Sequence, residues 1–281
     1  MTEQQPIPVV MVFAGCDSTG GAGIQADIET LASMGCHAAP VITAITVQDT
    51  QQVQGYTAID AALVIAQARA VLEDMPVAAF KIGLLGSVEN IAAIAEIISD
   101  YPDIPLVFDP IVASGRGDEL ANEDMLGAMC ELLLPQTTIL TPNSIEARRL
   151  IQDEENDEDD PDLEECAKRI LRMGCEYVLV TGTHEHTPKV INTLYGSRGV
   201  IRSDNWPRLS GIYHGSGCTL AAAIAALLAN GLPMEEAVKE AQEFTWQALQ
   251  FGFRPGMGQH IPDRLFWARD DDEDEPQDTR H

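Results

Sequence analysis

The chain has 281 residues, of which 45% are hydrophobic and 22% are charged, as in an ordinary globular protein with one or two α/β domains. Its net charge is −27 and no basic stripe is present, so we expect neither nucleic acid nor an anionic membrane as a partner. Ten of the acidic residues lie in 153–165 and seven in 266–281. These runs predict an acidic surface loop at about 152–165 and a disordered tail over 266–281.

The six cysteines form no CxxC pair and no disulfide framework, which favours reduced thiols and a cytoplasmic location. The tetrapeptide that ends at Cys16 looks superficially like a lipoprotein cleavage site. However, no basic residue precedes it and the apolar run from Val9 is short, so we expect no signal sequence. No stretch approaches the ~20 apolar residues of a membrane span.

The chain begins with an apolar run at 9–14, a loop with four glycines at 15–23 (the glycine loop) and a helical pattern at 24–34. Strand, glycine loop and helix are the opening of a βαβ unit, in which such loops commonly bind ligands. The dinucleotide motif GxGxxG is absent here, and the phosphate loop GxxxxGK[ST] is absent from the whole chain. Neither nicotinamide chemistry nor a P-loop nucleotidase is therefore supported.

Strands and helices continue to alternate. A second buried strand at 38–47 ends at Gln48, where an ordinary polar turn is the simpler interpretation. The further predicted strands are 78–82, 106–108, 138–140, 177–180, 190–195 and 200–202, and the further helices are 60–72, 88–98, 122–133, 163–173, 220–229 and 234–249. The last two strands predict an antiparallel hairpin. This pattern predicts one domain over 1–265, a three-layer α/β/α fold with a mostly parallel central sheet and helices on both faces.

Two polar positions along this alternation have both a structural and a functional interpretation. Asp109 follows a buried strand and could face a metal or cap the next loop. Asn143 and Glu146, three residues apart at a helix start, could form a capping box or orient water-bound Mg²⁺ against a nucleotide phosphate. The residues by themselves favour the capping box.

The segment 214–219 (the HGSGCT loop) reads His-Gly-Ser-Gly-Cys-Thr and runs directly into an Ala/Leu-rich helix. Its glycines permit a sharp turn, and the helix start presents unpaired N–H groups that suit a phosphate. The same groups would favour the thiolate of Cys218. The alternative, equally weighted on these residues, is a glycine-rich loop that merely enters a core helix.

Six motifs in a known order resemble the hydroxymethylpyrimidine/phosphomethylpyrimidine kinases of thiamine biosynthesis, a family of the ribokinase-like superfamily. The resemblance covers about residues 8–260. The motifs are Gly15-Cys-Asp-Ser-Thr-Gly-Gly-Ala-Gly-Ile-Gln-Ala-Asp27, Val41-Ile-Thr-Ala-Ile-Thr-Val-Gln-Asp-Thr50, Lys81-Ile-Gly-Leu-Leu85, Asp109-Pro-Ile, Thr141-Pro-Asn-Ser-Ile-Glu-Ala147 and His214-Gly-Ser-Gly-Cys-Thr219.

The resemblance implies phosphorylation of the hydroxymethyl group of 4-amino-5-hydroxymethyl-2-methylpyrimidine by Mg-ATP, commonly followed by phosphorylation of the monophosphate, and a homodimer. Gly15, Asp27 and Gln48 match positions that contact the pyrimidine, and Ile111 matches an apolar position beside the ring. A carboxylate and an amide can read the aminopyrimidine edge by paired hydrogen bonds. Relatives that prefer pyridoxal often carry methionine at the position of Gln48, which favours pyrimidine.

The resemblance also implies the nucleotide and catalytic positions. Asn143 and Glu146 match the Asn-x-x-Glu motif near Mg²⁺ and phosphate, which here overtakes the capping interpretation, and Thr181 and His184 match nucleotide-binding positions. Glu146 and Asp109 would hold Mg²⁺, in part through water. The remaining positions, which match the anion hole and the proton acceptor, are Gly215, Ser216, Gly217 and Cys218.

The chain departs from the family at three positions. Cys16 replaces a usual serine or threonine, Thr181 stands where many relatives have lysine, and Arg116 follows where a lysine is common. The loss of phosphate-contacting cations bears on the second phosphorylation more than on the first. A pyridoxal/pyridoxine kinase and a non-catalytic pyrimidine-binding regulator are the alternatives; the intact Asp27 and Cys218, with Asn143 and Glu146, argue against the regulator.

Overall fold

A nine-stranded sheet forms the centre of the computed structural model, which describes residues 6–113, 120–152 and 161–269. The strands are β1 (Val9–Cys16), β2 (His37–Gln48), β3 (Val53–Ala58), β4 (Val77–Ile82), β5 (Leu106–Phe108), β6 (Ile139–Leu140), β7 (Tyr177–Thr181), β8 (Lys189–Gly196) and β9 (Gly199–Pro207). Their order in the sheet is β3-β2-β1-β4-β5-β6-β7-β8-β9. The six central strands run parallel to one another; in sheet order they are β2, β1, β4, β5, β6 and β7. At one edge β3 pairs antiparallel with β2, and at the other β8 pairs antiparallel with both β7 and β9.

Helices cover both faces of the sheet, which confirms the predicted three-layer α/β/α fold. They are α1 (Gly23–Ser33), α2 (Ala61–Leu72), α3 (Val88–Ser99), α4 (Glu123–Ala128), α5 (Ser144–Leu150), α6 (Leu163–Arg172), α7 (Ser216–Ala229) and α8 (Met234–Gln250). Alternate residues of β1 pack into separate apolar cores: Phe13 lies with α2 to α6, and Val12 lies with α1, α7 and α8. None of the helices in the described ranges is long and apolar enough to cross a membrane.

The prediction that the second strand is buried is wrong at its carboxyl end. Ile45 and Val47 of β2 are 49% and 60% exposed, because β2 continues past the helices and forms a hairpin with β3. The sequence analysis missed β3, although alternation in Val53–Ala58 could have indicated it. The polar turn that the sequence indicated after Gln48 is the turn of this hairpin, in which the N–H groups of Gln51 and Gln52 donate to Asp49.

Two further expectations need adjustment, and one stays open. The helix predicted at 122–133 changes at Met129 into a π-helical turn and then a short 3-10 turn that contains Pro135, which has no N–H to donate. The predicted tail begins too early, because Trp267 Nε1 donates to Ser33 Oγ at 2.7 Å and Phe266 stacks on Phe251. The acidic residues 153–160, Arg116 and residues 270–281 lie outside the described residues, and the division into one domain and a tail remains a prediction.

Candidate active site

The carboxyl ends of the parallel strands and the start of α7 meet at one edge of the sheet. Gly215 precedes α7 with φ +90°, and a Cβ there would lie 1.8 Å from the carbonyl oxygen of Gly21. The glycine loop and the HGSGCT loop therefore touch at this point, and only glycine fits. No described side chain caps α7, so its first N–H groups point their positive end at the space in front of the loop. This arrangement suits a phosphate.

A cluster of charged side chains lies directly behind this space. The Lys81 ammonium is 2.9 Å and 3.0 Å from the two carboxylate oxygens of Asp27, and both side chains are fully buried. Burial by itself would lower the pKa of Lys81, but the carboxylates of Asp27 and Asp109 and the nearby Cys218 together raise it above its ordinary value. Lys81 thus carries a positive charge that is balanced inside the protein.

Cys218 belongs to the same cluster, but its thiol is not activated. The pKa of Cys218 is raised to about 12, mainly by burial and also by the carboxylates of Asp109 and Asp27, while Lys81 opposes this shift. The expectation that the helix start favours the thiolate is therefore wrong for this arrangement. Desolvation outweighs Lys81 and the N–H of Gly23, the two groups that lower the pKa of this thiol.

Asp109, which follows β5, and Glu146, in the first turn of α5, form a pair of buried carboxylates. Burial raises the pKa of Asp109 to about 6, with Lys81 opposing. Burial and the charge of Asp109 raise the pKa of Glu146 to about 8, although the N–H groups of Asn143 and Val112 donate to it. Each carboxylate makes ionisation of the other less favourable, and a cation bound between them would remove this repulsion.

The cation would need other ligands as well. No group of three or more His, Cys, Asp or Glu side chains in the described ranges could hold a metal ion. The pair therefore fits a magnesium ion whose remaining ligands are phosphate oxygens and water, as is usual for Mg²⁺.

Asn143 and Glu146 also form the capping box that the sequence suggested. The Asn143 side chain accepts from the N–H groups of Ile145 and Glu146 at 2.9 Å and 3.0 Å, and Glu146 Oε2 accepts from Asn143 N at 2.8 Å. The cap orients the carboxylate of Glu146 toward Asp109. Capping and cation binding are therefore compatible, because one oxygen of Glu146 suffices for the cap.

Thr181 lies beside Asn143, since Thr181 N donates to Pro142 O at 2.9 Å and the two residues form an isolated bridge. His184 follows in an exposed loop, where partial burial and then Arg208 lower its pKa. Arg208 holds this loop by donating to the carbonyl oxygens of Gly182, Thr183, Glu185 and Thr187. The structure thus brings Asn143, Glu146 and Thr181 together, with His184 at the rim.

The positions matched to pyrimidine contact divide into two groups. A Cβ on Gly15 would lie 2.9 Å from Leu84 Cδ2, and Ile111 packs against the cluster that contains Leu84. Gln48 Nε2 donates to Thr46 Oγ1 at 2.7 Å near this cluster. Asp27 is instead buried against Lys81, so the structure does not place it beside Gln48 as a second reader of one ring edge.

Sequence reasoning assigned no role to four residues that organise the site, although two of them, Asp17 and Lys81, lie within the quoted motifs. Lys81 is a charge inside an apolar strand, a signal that could have marked it. Asp17 accepts from Thr19 and Ala22 in the glycine loop and pairs with His214 Nε2 at 2.9 Å, and no local pattern shows this pairing. Arg208 and Arg264 act over long sequence separations and give no local signal.

Comparison with known proteins identifies relatives along nearly the whole chain. The family model described as phosphomethylpyrimidine kinase matches residues 17–263. A hydroxymethylpyrimidine/phosphomethylpyrimidine kinase of Streptomyces coelicolor is 38% identical over 255 residues, which cover 89% of this chain and 92% of the relative.

Solved structures with the same fold are also similar. An ADP complex of Bacillus subtilis pyridoxal kinase superposes with a TM-score of 0.83 at 29% identity and covers 94% of this chain and 99% of its own. A phosphomethylpyrimidine kinase from Clostridium difficile gives a TM-score of 0.73 at 32% identity, over 87% of this chain and 100% of its own. Fold and sequence therefore point to the same group of kinases.

Proposed function

The chain belongs to the phosphomethylpyrimidine kinase family, and on this premise we propose that it phosphorylates 4-amino-5-hydroxymethyl-2-methylpyrimidine with ATP in thiamine biosynthesis. The γ-phosphoryl group would pass to the hydroxymethyl oxygen, and in a second reaction another would pass to the monophosphate. The observation that carries the proposal is the family match from Asp17 to Asp263, which includes the glycine loop from Asp17 onward and the whole HGSGCT loop.

The start of α7 would hold the transferred phosphoryl group. The N–H groups of Ser216, Gly217 and Cys218 lie in the first turn and have no side-chain cap in the described residues. Such groups stabilise the charge on the equatorial oxygens of a loose transition state without reorganising during the reaction. Lys81, behind the loop, adds a fixed positive charge that water does not screen.

Cys218 would accept the hydroxyl proton late in the transfer. The bond between the substrate oxygen and phosphorus forms, the bond between phosphorus and the leaving oxygen of ADP breaks, and the proton moves to Sγ of the thiolate. With a pKa of about 12, only about 10⁻⁵ of the thiol is ionised at pH 7. That small fraction is a strong base, and a loose transition state needs little proton transfer before its end.

Asp109 and Glu146 would hold a magnesium ion together with phosphate oxygens and water. Their raised pKa values fit this role, since a divalent cation removes the repulsion that opposes their ionisation. The bound ion would neutralise charge on the nucleotide phosphates. Asn143, Thr181 and His184 would contact the nucleotide beside it.

Gly15, Gln48 and Ile111 would bind the pyrimidine ring. The close approach at Gly15 leaves backbone accessible, the amide of Gln48 can donate and accept, and Ile111 offers an apolar surface. Asp27 would act through Lys81 rather than on the ring, because its carboxylate is buried against that ammonium.

A pyridoxal kinase is the second candidate, and the TM-score of 0.83 to the Bacillus subtilis enzyme favours it. The test offers hydroxymethylpyrimidine, its monophosphate and pyridoxal side by side with ATP and identifies products by mass. Our proposal requires a phosphorylated pyrimidine with kcat/KM above that for pyridoxal, and Gln48→Met should shift this ratio toward pyridoxal. Turnover of pyridoxal alone would establish the second candidate, and turnover of none would favour a pyrimidine-binding regulator.

We also propose a homodimer that acts in the cytoplasm. All six cysteines are free, as expected in a reducing compartment, and the exposed apolar residues Ile45 and Val47 offer a surface for a second copy. The molar mass from light scattering tests the dimer, and Ile45→Glu should weaken it. A monomeric mass for the unaltered chain would contradict the proposal. Fractionation of the native cells tests the location.

A further inference from the structure

The segment 253–264 near the carboxyl end of the chain contacts two of the loops that build the site. Gly258 N donates to Thr50 Oγ1 at 3.0 Å and Gln259 N donates to Thr50 O at 2.8 Å, just beyond the carboxyl end of β2. His214 N donates to His260 O at 2.8 Å, at the start of the HGSGCT loop. This segment therefore runs along the site and ends at Arg264.

Arg264 is a fully buried arginine whose guanidinium contacts three different elements. Nε donates to Thr219 Oγ1 at 2.9 Å, Nη1 pairs with Glu29 Oε2 at 3.0 Å, and Nη2 donates to the carbonyl oxygen of Gly21. Glu29 itself is about half exposed, so its charge is partly screened by water. The acceptors of Arg264 are thus one hydroxyl, one backbone carbonyl and one carboxylate, and its charge also acts on the buried Asp27.

Two of these bonds join the glycine loop to the HGSGCT loop. Thr219 Oγ1, which accepts from Arg264, donates in turn to Gly215 O at 2.8 Å. A Cβ on Gly215 would lie 2.9 Å from Nη2 of Arg264, so the guanidinium sits immediately behind the residue that starts α7. One cation thus fixes Gly21 on one loop and the turn at Gly215 on the other.

We propose that Arg264 is a positioning residue for phosphoryl transfer. It fixes the position of the glycine loop relative to the HGSGCT loop, so that the first N–H groups of α7 point at the transferred phosphoryl group. It also places a buried positive charge behind these N–H groups. The proposal rests on the proposed kinase function. A lysine could supply the charge but not three donors in a fixed plane, so charge and geometry can be separated by substitution.

The effect should fall on the transferred phosphoryl group rather than on the pyrimidine. Arg264→Met keeps the packing volume and removes both the charge and the donors. We expect its kcat to fall at least about tenfold, with KM for hydroxymethylpyrimidine within about twofold, because a small displacement of positioning groups is felt mainly in the transition state. Arg264→Lys should recover part of kcat by restoring the charge.

Binding of two nucleotides isolates the same effect without turnover. AMP-PCP carries a γ-phosphoryl group and ADP does not. By titration calorimetry we expect Arg264→Met to weaken AMP-PCP at least about threefold while ADP stays within about 1.5-fold. Glu29→Gln is the matched control, since it removes the ion pair but leaves the bonds to Thr219 and Gly21. We expect a lower melting temperature, with kcat and both affinities at wild-type values.

Thr219→Val provides a second route if Arg264→Met does not fold. It removes the acceptor between Arg264 and Gly215, and we expect the same selective loss of kcat and AMP-PCP affinity. A lower melting temperature with unchanged kcat and unchanged AMP-PCP affinity in the folded variants would show a structural role only and overturn the proposal. Failure of the wild-type chain to phosphorylate any pyrimidine would overturn the proposed function instead, and the nucleotide affinities would still decide the role of Arg264.

Discussion

The candidate site has two halves that differ in how far water reaches their polar and charged groups. The proposed chemical half, made of Asp27, Lys81, Asp109 and Cys218, is buried, and its one cation is paired with Asp27 inside the protein. The proposed nucleotide half is Asn143, Thr181 and the loop with His184, whose side chains are half-buried or exposed and whose Glu185 pairs with Arg148 at 2.8 Å. The neighbouring Arg208 donates its hydrogen bonds to backbone carbonyl oxygens of this loop.

This difference shows which interactions fix the arrangement of the side chains in each half. In the chemical half water is excluded, so every charge needs a partner in the protein and the arrangement is fixed before substrate binds. In the nucleotide half, hydrogen bonds within the loop give the order and exposed groups remain hydrated. Substitutions in the chemical half should therefore affect both stability and kcat, and those in the nucleotide half mainly KM for ATP.

The largest expected effect is the loss of the proton acceptor. Cys218→Ala should lower kcat by about 10²–10⁴-fold, the usual contribution of a positioned base, while AMP-PCP affinity stays within about threefold. Steady-state kinetics and calorimetry measure the two quantities. Cys175→Ala, a buried cysteine in the core away from the site, is the matched control and should keep kcat unchanged. Near-normal turnover of Cys218→Ala would remove this residue from the mechanism.

Breaking the buried ion pair should cost the most stability. Lys81→Met leaves Asp27 and Asp109 without their cation, and the removal of one partner from such a pair destabilises by roughly 3–5 kcal/mol. Urea unfolding measures the loss. Lys168→Met breaks an exposed pair with Glu164 and should change the free energy of unfolding much less, because water screens such a pair. Equal decreases in the free energy of unfolding of the two variants would contradict the expectation that a buried ion pair matters more to stability than an exposed one.

The pH dependence of kcat tests the state of the thiol. Burial raises the pKa of Cys218 to about 12, so the thiolate fraction grows about tenfold for each pH unit below that value. Above the pKa of about 8 at Glu146, the carboxylates no longer contribute to the slope. The kcat of the wild type should therefore keep rising between about pH 8.5 and 9.5. The residual activity of Cys218→Ala should be flat there; a plateau in the wild type would exclude thiolate as the base.

The smallest expected effect lies at the exposed rim. His184→Ala should raise KM for ATP by no more than about fivefold and leave kcat and the melting temperature unchanged, because a hydrated side chain contributes little fixed geometry. His186→Ala, two residues further along the same exposed loop, is the control and should change nothing. A loss of kcat in His184→Ala would mean that the nucleotide half is as preorganised as the chemical half.

Much of the fold follows from local patterns in the sequence. The apolar run of β1, the glycine loop, the helix α7 and the hairpin of β8 and β9 were all predicted, because each depends on neighbouring residues. The start of α7 differs, since the helix begins at Ser216 and the predicted helix began at residue 220. The capping box of Asn143 and Glu146 is local in the same sense. The hairpin of β3 was missed because its polar turn hid a short alternating strand.

The sequence by itself determined which side chains this protein can offer for the proposed phosphoryl transfer and which predicted strands and helices carry them. Only the tertiary structure decided their partners and their charge states. Asp27 pairs with Lys81 across 54 residues, and Arg264 reaches Gly21 across 243. The pKa of Cys218 depends on how completely the surrounding chain excludes water from its thiol. Local propensity extends over a few residues, whereas desolvation and pairing depend on everything packed around a group, and this is why the reactive state of the site could not be read from the motif that contains it.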